Sequence, residues 1–142
     1  MNFDPAIAAR QSLQFIEENG ELGADLEAVL EAEAAFSASA GPEARAAYQT
    51  LLDIGKRYPD ARAFQGFLIY ITWQQAAEET IREHFLTGAT LCDRYLAAGS
   101  HATDDRHAPQ IRELRGSFRA ALGLGEEDDE HDYDADVFKG GD

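Results

Sequence analysis

Imidazole and thiol side chains are few in this chain. There are four histidines (His84, His101, His107 and His131) and a single cysteine, Cys92. Ligand types crowd together in "HATDDRH", residues 101–107, where His101, Asp104, Asp105 and His107 could surround a cation in a loop. That grouping is the basis for an alternative reading as a helical-bundle metal- or ligand-binding protein, or an enzyme, that uses the His101–His107 region. The same residue types also make an ordinary solvated, helix-capping connection, which is the reading adopted. Glu83 and His84 are adjacent, so on a helix they point about 100° apart. Ile81 stands three residues before His84, so the Glu-x-x-His spacing of di-iron bundles is missing. "DYDAD", residues 132–136, begins like a calcium loop, but Val137 occupies the position that needs glycine. No metal and no cofactor are assigned.

Nucleophilic catalysis finds little footing either. Ser12, Ser37, Ser39, Ser100 and Ser117 lack a nucleophile-elbow context. Cys92 falls on an apolar helical stripe and reads as a small buried hydrophobe. "GLGEEDDE", residues 123–130, places acids where a phosphate loop would need amides and a cation. Arg94 and His101 are separated by six residues, a spacing that resembles the Arg–His signature of the helical HEPN ribonucleases and implies RNA cleavage as a remote option. Tyr95 stands where that signature usually has a polar residue, and the charge of the chain opposes RNA. No catalytic residue is assigned, and the expectation leans away from an enzyme.

Charge is the dominant signal. Twelve basic residues against 27 acidic ones leave −15 over 142 residues. Residues 126–142 contain nine acids and one lysine, so they account for −8 of this. Both parts of the chain repel polyanions, which argues against direct nucleic-acid or anionic-membrane binding. A basic surface on a partner protein is the expected counterpart. Within the terminal run Glu126, Glu127, Asp128, Asp129, Glu130, Asp132, Asp134 and Asp136 supply charge, while Tyr133 and Phe138 supply apolar anchors. These ten residues form the candidate partner-binding segment, because charge speeds encounter and aromatic rings fix the bound pose.

The elements that must carry these residues read as helices. Asp4-Pro5 opens the first, and Gly20 ends it. A second runs from about Ala24 to Ser39 with Leu26, Val29, Leu30 and Phe36 inward. A third starts at Pro42 and stops before Pro59. "PEARAAYQTLLDIGKRYPDA" is faintly similar to the second helix and trailing proline of a tetratricopeptide unit, which favours a protein-binding scaffold. Asp60 is expected to cap the next segment, and "FLIYITW", residues 67–73, to be a buried helix, since no partner strand exists elsewhere. A long helix is expected from a Thr72/Gln75 capping box to about Gly99, with Trp73, Ala77, Ile81, Phe85, Gly88, Cys92 and Tyr95 on one face. Gly88 on that face predicts a close helix crossing. The last helix covers about 109–122, with Arg112, Arg115 and Arg119 as a basic stripe beside its apolar face.

These features specify an all-α, single-domain bundle of five or six helices over 1–125, followed by an acidic, flexible C-terminal tail, 126–142. No signal peptide or bilayer-length apolar run is present, and the lone cysteine suits a reducing compartment, so a soluble, cytoplasmic protein is expected. The functional expectation is a non-catalytic acidic helical interaction protein: an adaptor, inhibitor or chaperone-like accessory factor, whose carboxylates could mimic nucleic acid. The apolar run 67–73 also leaves homodimerisation open.

Overall fold

The computed structural model of the chain describes residues 3–98 and 107–123. All regular structure among them is helical: α1 (Pro5–Asn19), a 3-10 turn (Gly23–Asp25), α2 (Leu26–Ala38), α3 (Pro42–Arg57), α4 (Arg62–Glu78), α5 (Arg82–Ala98) and α6 (Ala108–Ala121). The boundary expected at 125/126, and everything beyond it, lies outside the described residues.

Local chemistry accounts for several boundaries. The Asp4 carboxylate accepts the Ala6 amide at 2.9 Å with Pro5 in the first turn, and Gly20 closes α1 in the left-handed region at φ 64°. Pro42 starts α3 after Gly41, whose positive φ disfavours any residue with a Cβ.

Helix α4 is the axis of the bundle. Residues 66–72 are all buried, because α1, α3 and α5 pack around it and α6 touches it as well. A helix enclosed on every side needs no polar face, which is why "FLIYITW" shows no amphipathic period. Helices α1, α3 and α5 run antiparallel to it, α5 bringing Tyr95 to Arg62 and His84 to Glu79. Phe3 meets Tyr70 edge-on at 5.9 Å between ring centroids, while Glu21, just beyond α1, reaches Phe64. In the same way Tyr48 on α3 meets Thr72, and Gly55 faces Leu68. Helix α2 lies on α3, and α6 lies on α5. The run 67–72 is thus spent on the interior.

Two sequence expectations are corrected. First, the long helix from Thr72 is two helices. Thr72 lies inside α4, where its hydroxyl donates to the Leu68 carbonyl at 2.7 Å. The chain breaks at Glu79–Ile81 without glycine or proline, so Ala77 and Ile81, in the middle of the expected stripe, are exposed. The break is held by local bonds: Thr80 Oγ1 to the Ala76 carbonyl at 3.2 Å, and the Ile81 and His84 amides to the Glu79 and Ile81 carbonyls. Second, Asp60 does not cap α4. The Glu21 carboxylate, 43 residues earlier, accepts the Phe64 amide at 3.0 Å in the first turn. A carboxylate there satisfies an orphan donor and suits the helix dipole. Glu21→Ala is therefore expected to cost about 1 kcal/mol, and Asp60→Ala almost nothing, as read from denaturant midpoints at constant m.

Candidate functional site

All ten residues of the expected partner-binding segment, from Glu126 to Phe138, lie outside the described residues, as do His101, Asp104 and Asp105. What is described is the folded surface. Its charge is segregated. From Glu17 to Glu33 there are seven carboxylates and no lysine or arginine. They occupy the end of α1, the 3-10 turn and the first half of α2. Three have structural duties: Glu21 caps α4, Asp25 accepts the Tyr58 hydroxyl and pairs with Arg57 at 3.5 Å, and Glu33 accepts from Ser37 at 2.8 Å. Glu17, Glu18, Glu27 and Glu31 are exposed. On α1, Phe15 is 50% exposed and Ile7 45%, two turns apart on one face. A ring left in water beside uncompensated carboxylates repeats, on the folded surface, the acid-plus-aromatic chemistry of the tail.

A second surface is a groove of about 720 Å³ between α3 and α5, floored by α4. Leu52, Leu68, Leu86, Leu91 and Tyr95 give it apolar walls. Cations gather toward the end where α3 and α5 finish and α4 starts: Lys56, Arg62 and Arg94, with Asp60 beside them. Arg62 is fixed there, its guanidinium 3.7 Å over the Tyr95 ring and donating to the Tyr95 carbonyl at 2.9 Å. Glu83 lies at the opposite end. Sequence reasoning missed this group because its cations come from three elements and share no helical period.

The third feature is a buried polar network across α3, α4 and α5. His84 Nε2 donates to the Glu79 carboxylate at 2.7 Å. Arg45 pairs with the same carboxylate from the outside, and Gln75 Nε2 donates to it at 3.2 Å. Tyr48 packs edge-on against the imidazole at 5.5 Å and bonds Thr72 Oγ1 at 3.0 Å. Burial pushes the Tyr48 phenol up to about 12, although the Thr72 bond works against the rise. Burial likewise holds His84 below the ordinary histidine value; Glu83 opposes this and Arg45 adds to it. With Arg45 already countering Glu79, a neutral imidazole is a sufficient donor. None of Tyr48, Thr72, Gln75, Glu79 or His84 lines the groove, so the network is built to join helices.

The sign of the His84 shift fixes a pH dependence. The unfolded chain takes up a proton near pH 6.5, whereas the folded chain resists until lower pH. The contribution of His84 to stability is thus complete above about pH 6.5 and is lost as pH falls toward the folded value. In His84→Gln the melting temperature should change less between pH 7.5 and pH 5.5 than in the parent, measured by circular dichroism.

The remaining candidates resolve locally. No group of three or more His, Cys, Asp or Glu residues suited to a metal occurs among the described residues. His107 Nδ1 is bonded to the Tyr70 hydroxyl at 2.8 Å, at the start of α6. Cys92 is wholly buried, and burial pushes its thiol up, so it is a poor nucleophile. The expected basic stripe on α6 is not a stripe on the surface. Arg119 is only 1% exposed, Arg115 pairs with Asp93, and Arg112 alone of the three is exposed. No helix among the described residues is long and apolar enough to cross a membrane.

No protein-family model, curated protein or solved structure matches the chain.

Proposed function

We propose that this protein is a non-catalytic, acidic helical interaction protein, an adaptor, inhibitor or accessory factor that engages a basic surface of another protein. The observation that carries the reading is the segregation of charge. Seven carboxylates with no lysine or arginine among them fall within residues 17–33, and nine more acids follow in residues 126–142. Like charges gathered this way oppose compact folding, so their retention points to use in binding. The exposed Phe15 ring and the tail aromatics Tyr133 and Phe138 add what charge alone lacks, namely anchors that shed water on contact. Mimicry of nucleic acid is the sharper form of this idea, with the partner a nucleic-acid-binding protein whose basic face accepts the carboxylates of both regions. A cytoplasmic setting fits a chain with one buried thiol.

Affinity capture from the native host, comparing the full chain with a 1–125 truncation, tests the reading. A discrete basic protein should be retained by the full chain, eluted by salt, and strongly depleted with the truncation. Equal retention by both forms, or retention of acidic proteins only, would remove the tail from the account.

A further inference from the structure

We propose that the α3–α5 groove is the docking site of this chain's own acidic segment, residues 126–138, with carboxylates toward Lys56, Arg62 and Arg94 and an aromatic ring against the leucine walls. Three observations lead to this occupant. The first is complementarity. In a chain of −15, this groove brings three cations around an apolar trough, and the segment offers eight carboxylates with Tyr133 and Phe138 among them. Arg62 is already immobilised on Tyr95, so binding there orders little further side-chain freedom. The basic residues of α6 are a poorer host, since Arg119 is buried and Arg115 is engaged by Asp93.

The second is reach. Phe118 on α6 packs against Phe85 and Gly88 on α5, so Gly123 lies near the start of α5. From there to Arg94 is roughly 15 Å along α5, plus about 10 Å to pass around it. The ten residues from Gly123 to Tyr133 span about 33 Å when extended. The third is linkage. A free polyanion must approach a molecule of −15, whereas a tethered one is already present at an effective concentration on the order of millimolar. An affinity of about that value keeps the groove occupied in cis. A basic partner would draw the segment away, so docking holds the tail until a stronger cationic surface competes. Docking in cis goes beyond the partner reading and is tested without any partner.

The test is paramagnetic relaxation in the full chain. Cys92 is buried, so Gly140→Cys takes a nitroxide label selectively and leaves both aromatic residues in place. The amides of Thr87, Thr90 and Arg94 should broaden. Their intensities should recover in about 0.5 M salt, where the screening length is about 4 Å. They should also recover in Arg94→Glu, a change at an exposed site that leaves the core intact. Labelled protein mixed with isotopically enriched, unlabelled protein should give no broadening. Broadening confined to α6, broadening in the mixed sample, indifference to salt or to Arg94→Glu, or no broadening at all would each overturn docking in cis.

Discussion

Gly88→Ala should destabilise the protein by about 2 kcal/mol, with a melting temperature lower by several degrees. On an isolated helix the same change would be worth about 1 kcal/mol in the other direction, since alanine is the better helix former. The sign reverses because of what stands against Gly88. A Cβ there would collide with the Cδ1–Cε1–Cζ edge of Phe118, which is fully buried. The ring cannot swing aside. Trp73 meets it edge-on at 5.2 Å and Phe85 at 6.5 Å, so one methyl group must displace α6 or unseat an aromatic cluster. Thermal unfolding by circular dichroism measures the loss. Phe118→Leu in the Gly88→Ala background should restore part of it, because the two sites share one volume.

Tyr133→Ala with Phe138→Ala should weaken partner binding by tenfold or more, about 1.4 kcal/mol, while leaving thermal unfolding unchanged. Charge contributes chiefly to encounter, and buried rings chiefly to residence. Removing both rings keeps the −8 of residues 126–142, so association should be nearly as fast and dissociation much faster. Surface plasmon resonance with the captured partner separates the two rates. A double variant that binds like the parent would reduce the tail to an electrostatic tether.

Much of the fold is legible in single residues. Asp4-Pro5, Gly20 and Gly41-Pro42 act through their own backbone chemistry, and the structure places helix ends beside each of them. Gly88 predicts a close crossing because an unfavourable residue on an apolar face needs a reason, and Phe118 supplies it. What fails is whatever depends on partners distant in sequence. Thr72 and Gln75 match a capping box in spacing, yet Tyr48 on α3 and the preceding turn of α4 claim the threonine hydroxyl. Asp60 looks like a cap, but Glu21 takes the position from 43 residues away. The break at Glu79–Ile81 contains no breaker residue, and it places Glu79 where Arg45, 34 residues earlier, and His84 converge. Sequence reading finds no metal motif around His84; its burial and the shared carboxylate follow only from three helices meeting. The groove cations escape notice for the same reason.

The central claim is that folding is the work of the helices while surplus negative charge is displayed for a basic protein. Calorimetric affinity for the captured partner over a range of salt concentrations tests it most directly. Affinity should fall steadily as salt screens the carboxylates, and more steeply for the full chain than for 1–125, with both forms melting alike. Binding that is insensitive to salt, or a truncated chain that has lost its cooperative unfolding, would contradict it.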